Sequence, residues 1–100
     1  MKATFLLLAL SASMFGADYK GWFSDDSCGA GNASSDKDRR DCAERCLKGG
    51  AAAVFVTEGD GKVFKVAGNV KALDYIQNKV KVSGTVKGDT LTITKVEKAD

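Results

Sequence analysis

Residues 79–94 alternate with a period of two. Val80, Val82, Gly84 and Val86 fall on one face, and Lys79, Lys81, Ser83, Thr85 and Lys87 on the other. Successive side chains of a strand point to opposite faces, so the pattern predicts a half-buried strand. Lys87-Gly88-Asp89 turns the chain, after which Leu91 and Ile93 alternate with Thr90, Thr92 and Thr94. Together the two runs predict an antiparallel hairpin with its valines against a core. Val96 falls one step out of phase. A β-bulge near Lys95 restores the alternation. A lone hairpin is marginal in water, so the rest of the chain must cover its apolar face.

Three further strands are predicted upstream. Asp18 to Asp25 holds Tyr19, Trp22 and Phe23, and aromatic residues favour strands. Ala51 to Thr57 is apolar on both alternating sets, the pattern of a strand buried on both faces. Glu58-Gly59-Asp60-Gly61 is a tight turn, and Lys62 to Val66 is the returning strand. Between the first two strands lies a Gly/Ser/Asn/Asp-rich loop, residues 26–35, and then a helix ending at Gly49-Gly50. Ser35 is its expected cap, with Asp38 completing a short capping box. Apolar residues at 42, 43, 46 and 47 make one helical stripe. Lys37, Arg39, Arg40, Asp41, Glu44, Arg45 and Lys48 then form a solvated face, with Asp41–Arg45 and Glu44–Lys48 as i,i+4 pairs. Asn69 to Gln77 is a short helix capped by Asn69, with Val70, Leu73 and Ile76 inward.

The order is strand, helix, strand, strand, short helix, strand, strand. Five strands this short leave edges exposed unless they curl together. The predicted class is mainly β with one α-helix (α+β): a small five-stranded, partly open barrel of the OB type, with a helix inserted between strands 1 and 2.

The chain opens Met1-Lys2, followed by a short apolar run that fades into Ser11-Ala12-Ser13. The run is about half the ~20 residues that a membrane-spanning helix needs. A positive start, a short apolar stretch and small residues match a secretory signal peptide. Cleavage is expected after Ala17, with Ser13 as the alternative. Residues 1–17 are therefore read as signal and 18–100 as one domain, periplasmic or secreted and without a transmembrane anchor. Fifteen Lys+Arg less Lys2 leaves fourteen against thirteen Asp+Glu, about +1 for the mature chain. No dedicated nucleic-acid binding is expected from that balance. Histidine is absent, which removes the commonest general base and metal ligand. No acid–base pair, activated nucleophile or cofactor motif can be assembled, so the chain is read as non-catalytic.

Cys28, Cys42 and Cys46 are the only cysteines. In an oxidising compartment two of them are expected to pair. A bond between Cys42 and Cys46 within one regular helix strains disulfide geometry. Cys28 therefore pairs with a helix thiol. Cys42 is favoured by reach, lying about 9 Å along the helix from its cap against about 15 Å for Cys46. Cys46 remains open as the partner. Either loop is worth ~3 kcal/mol by chain entropy. The leftover thiol reads as apolar filler. The competing reading uses all three as a redox centre or as ligands for a soft metal, Cu(I) or Zn(II). Trp22 and Phe23, with Tyr75, are the candidate stacking platform for a sugar or a single-stranded nucleic acid. Lys62, Lys65, Lys79, Lys81 and Lys87 read as edge protection first and a weak anion surface second.

Gly21-Trp22-Phe23-Ser24-Asp25, then Cys28-Gly29, Cys42-x-x-x-Cys46, Gly50 and Val54-Phe55-Val56 resemble a family of small exported bacterial proteins with a domain of unknown function. The segments Lys79 to Thr85 and Gly88-Asp89-Thr90-Leu91 are similar too. The resemblance covers most of the mature chain. It implies export and an OB-like barrel and supplies no activity. Members of the family carry a histidine after the Cys-Gly pair; here the chain reads Ala30-Gly31-Asn32. The function expected is an exported, disulfide-stapled binding or scaffold domain.

Overall fold

The computed structural model describes residues 16–99. The expected signal cleavage region therefore lies largely outside the described residues. The elements run β1 (Ala17–Asp25), a 3-10 turn (Gly29–Asn32), α1 (Lys37–Lys48), β2 (Ala53–Thr57), β3 (Val63–Ala67), a second 3-10 turn (Ala72–Tyr75), β4 (Val80–Lys87) and β5 (Thr90–Lys98). All five expected strands are present, with one α-helix between the first two.

The sheet is not left partly open. Its strands close into an irregular ring in the order β1-β2-β3-β5-β4. Closure depends on the length of β1. Its first half, Ala17–Gly21, pairs antiparallel with β4, and its second half, Gly21–Asp25, pairs antiparallel with β2. Gly21 belongs to both ladders. A Cβ there would run into the carbonyl of Val56 and the ring of Phe55, so only glycine allows the close approach. β3 and β5 complete the ring through three parallel rungs, Lys65–Ala67 against Thr90–Thr92. The anticipated bulge is present. Ser83 faces Lys95 and Gly84 faces Ile93, which leaves Thr94 as the extra residue. These features are consistent with an OB-like fold.

Inside the ring sit Phe23, Phe55, Phe64, Val80, Val82, Leu91 and Ile93. Phe23 and Phe55 meet edge to face at 5.8 Å, a favoured aromatic geometry. β2 is buried at Val54, Phe55 and Val56 alike, as its sequence implied.

The helices depart from expectation in detail. Asp36, not Ser35, caps α1, its carboxylate accepting from the backbone N–H of Asp38 at 2.9 Å. A carboxylate suits the positive helix start better than a hydroxyl. The far end is a Schellman motif. Ala51 N–H donates to Cys46 C=O and Gly50 N–H to Leu47 C=O, with Gly50 at φ +107°. The surface pairs are Lys37–Asp41 at 3.0 Å and Glu44–Lys48 at 2.9 Å. The pair Asp41–Arg45 is replaced by a link from Gln77, whose side-chain amide donates to Asp41 and Glu44. Asn69–Gln77 shortens to the four-residue 3-10 turn, which Asn69 does not cap. So short a turn cannot carry a full helical stripe: Ile76 is buried, while Leu73 is 42% exposed. Among the described residues no helix is long and apolar enough to cross a membrane.

Candidate functional site: one closed end and one open end

Antiparallel registers sort the strand ends into two rims. The end of β1 and the starts of β2 and β4 form one rim. The start of β1, the end of β2 and the start of β3 form the other, joined by the end of β4.

α1 stoppers the first rim. Its inward line is Arg40, Ala43 and Leu47, with Cys42 and Cys46 half-buried on the flank. Arg40 was placed on the solvated face by its charge, and the structure overturns that placement: it is 2% exposed. One guanidinium nitrogen donates to the carbonyls of Phe23 at 2.9 Å and Ile76 at 2.7 Å. The other donates to the carbonyl of Asn32. One side chain thus ties α1 to β1, to the first 3-10 turn and to the segment after the second. Burial lowers the affinity of Arg40 for its proton, and the charge of Asp25 opposes this. The guanidinium stays protonated.

Asp25 is fully buried at the end of β1. Its carboxylate accepts from the Asn32 side-chain amide at 2.9 Å and from Cys28 N–H at 3.0 Å. Burial pushes its pKa up. The hydrogen bonds from Asn32 and from backbone N–H groups outweigh that and hold it below the ordinary value. Ser24 donates to the Gly29 carbonyl at 2.8 Å, fastening the same turn over β1.

The three thiols gather beside this lock. Cys28 is exposed just before the first 3-10 turn, near enough to Cys46 to act on its thiol. All three are free, so the expected Cys28–Cys42 bond, like its Cys46 alternative, is not formed here; one cysteine pair stands 4.5 Å apart. Burial pushes the Cys46 thiol pKa up, and Asp25, Cys42 and Cys28 add to the rise. Among the described residues no group of three or more Cys, Asp or Glu is arranged to hold a metal ion. Cys28, Cys42 and Cys46 do not form such a group.

The second rim is open. A cleft of about 500 Å³ lies there, walled by Tyr19 and Val86 and floored by the buried ring of Phe64. Tyr19 and Phe64 stand 6.0 Å apart at 56°. Lys62 reaches over the Phe64 ring at 5.3 Å, and Lys20, which follows Tyr19 on β1, also borders the cleft. Three carboxylates complete the lip. Asp18 accepts from the Ser83 hydroxyl at 2.6 Å, Glu58 pairs with Lys79, and Asp60 accepts from the Thr57 hydroxyl in the β2–β3 turn. That last bond, with the backbone N–H of Lys62, holds Asp60 below the ordinary carboxylate range.

The expected platform of Trp22 and Phe23 is not formed. Neighbours on a strand face opposite ways. Phe23 points inward and is fully buried, while Trp22 is half-buried outside with Lys79 over its ring at 5.9 Å. Tyr75 tilts against Phe23 from the stoppered side. The rings at the open end are Tyr19 and Phe64. Tyr19 shares the inward set of β1 with Phe23, and that parity was a usable signal. The outer lysines are largely paired: Lys65 with Asp89 at 3.7 Å, Lys81 with Glu97 at 3.3 Å, and Lys79 as above.

No known family, curated protein or solved structure matches this chain.

Proposed function

We propose that the protein is an exported, non-catalytic binding domain that meets its ligand at the open rim, while α1 and its buried polar lock close the other. The observation that carries the reading is the aromatic lining of the open rim: clefts of about 390 Å³ beside Leu47 and Leu73 and about 480 Å³ beside Ala53 and Val63 have no aromatic ring in their walls. Polar side chains at the closed rim are spent on internal hydrogen bonds. The open rim keeps a cleft with aromatic walls and charged side chains around it, in the size range of small-molecule sites. The leader-like start and the resemblance to exported bacterial proteins support a periplasmic or secreted location.

The proposal includes the staple. In an oxidising compartment Cys28 bonds to Cys42 or Cys46, fixing the first 3-10 turn to α1. The cut that releases the domain falls after Ser13 or Ala17. The earlier one leaves β1 whole, since Ala17 is its first residue and faces Gly84.

Chemical-shift mapping of the 15N-labelled exported form against a disaccharide panel, a short oligonucleotide and small organic anions tests the binding reading. Shifts gathered at Tyr19, Lys62, Phe64 and Val86 are expected. Shifts gathered instead around α1, or none with any probe, contradict it. Intact mass after thiol alkylation tests the staple: one alkylated thiol is expected, and three would remove it. A second reading, thiol exchange, is favoured by the three free thiols beside Asp25. It requires the cysteine-free variant to lose the protein's effect while remaining folded.

A further inference from the structure

We infer that the open rim binds an uncharged saccharide through one pyranose ring. The inference rests on the binding role proposed above and names its ligand. Of the charged residues bordering the cleft, Glu58 is neutralised by Lys79 from outside it, which leaves Asp18 and Asp60 against Lys20 and Lys62. Such a rim does not select for an anion or a cation. What it offers is an alternation of donors and acceptors. The hydrogen bonds of Asp18 and Asp60 engage Oδ1 in both, and both residues are exposed, which leaves Oδ2 as a further acceptor. Lys20 and Lys62 form no ion pair among the described residues, which leaves their ammonium groups as donors. A sugar hydroxyl both donates and accepts, so it can bridge a lysine and a carboxylate where a simple ion cannot satisfy both.

The ring wall supplies the second half of the fit. Tyr19 lines the cleft and is half-buried, while Phe64 is closed off. An aromatic face that is apolar, with a polar rim around it, matches a pyranose ring whose C–H bonds cluster on one side and whose hydroxyls radiate from its edge. Asp60, an exposed carboxylate in the β2–β3 turn, is an acceptor at neutral pH. The ion-pair partners Glu58 and Lys79 stand at one side and connect the lip to Trp22, so occupancy of the cleft reaches the indole through Lys79.

The test uses the full exported domain, oxidised, with cellobiose, maltose and N,N′-diacetylchitobiose as probes and benzoate and inorganic phosphate as anionic controls. Amide shifts and Trp22 fluorescence are followed to saturation. At least one disaccharide is expected to bind saturably, with shifts at Tyr19, Lys20, Lys62 and Phe64. Tyr19→Ala is expected to weaken that binding at least tenfold, and Lys62→Ala, at an exposed position, severalfold. Thermal melting confirms that each variant is folded; should Tyr19→Ala unfold, Lys62→Ala and Asp60→Asn carry the test. If benzoate or phosphate binds the open rim and no sugar does, the ligand class is wrong while the binding reading stands. If sugars bind with shifts confined to Trp22 and β2, the site is wrong. If no probe shifts the open rim, both readings fall.

Discussion

Arg40 is the residue on which the closed end turns. Its three carbonyl partners lie on three separate segments, and its charge is balanced across the lock by Asp25. Its Nε has no partner, which is a cost the other contacts offset. Asp25 carries a pH signature. Its folded pKa is depressed, so the unfolded chain binds the proton more tightly than the fold does. The carboxylate then adds stability above its unfolded pKa, near 3.8, and that contribution is lost as the pH falls through the folded value. Asp25→Asn is expected to cost about 1–3 kcal/mol at pH 7. The gap from wild type should narrow in urea midpoints taken below about pH 4; a gap of constant size across that range contradicts the assignment. The thiols make a second residue-scale prediction. In the reduced protein Cys28 is exposed, whereas Cys46 is half-buried with its pKa pushed up. Brief alkylation at pH 8 followed by peptide mapping should therefore label Cys28 first and Cys46 last. Early labelling of Cys46 overturns that order.

At the scale of elements, the capping of α1 distinguishes two close alternatives. Asp36→Ala should cost about 1 kcal/mol and Ser35→Ala close to nothing, because only Asp36 accepts from the helix N–H groups. Equal costs would return the cap to Ser35. Gly50→Ala should cost about 1–2 kcal/mol, since a Cβ is disfavoured at φ +107°; an unchanged midpoint would mean that the Schellman end is dispensable. The strands were legible from sequence because alternation is a strong local signal, and even the bulge at Thr94 was visible as a phase slip in Val96. The short helix was not. Val70, Leu73 and Ile76 have helical spacing, but the four-residue turn that forms buries Ala72 and Ile76 and leaves Leu73 outside.

Over the whole molecule, what sequence could not show is which charged residues the fold would enclose. Arg40 sits among Arg39, Asp41 and Lys37, and nothing local separates it from them. Its burial follows from three carbonyls that converge only once the ring has closed. The same limit hid the open rim, because Tyr19, Thr57 and Phe64 lie on different strands and meet only through register. The resulting picture is a closed five-stranded ring with a helical stopper at one end and an open cleft at the other. Urea unfolding of Arg40→Ala tests that picture most directly, with Trp22 fluorescence reporting the ring and far-ultraviolet circular dichroism reporting α1. The account predicts a loss of about 3–5 kcal/mol, the cost of breaking a buried charged network, with the helix signal lost at lower urea than the ring signal. A variant that unfolds within about 0.5 kcal/mol of wild type, both probes coinciding, contradicts it.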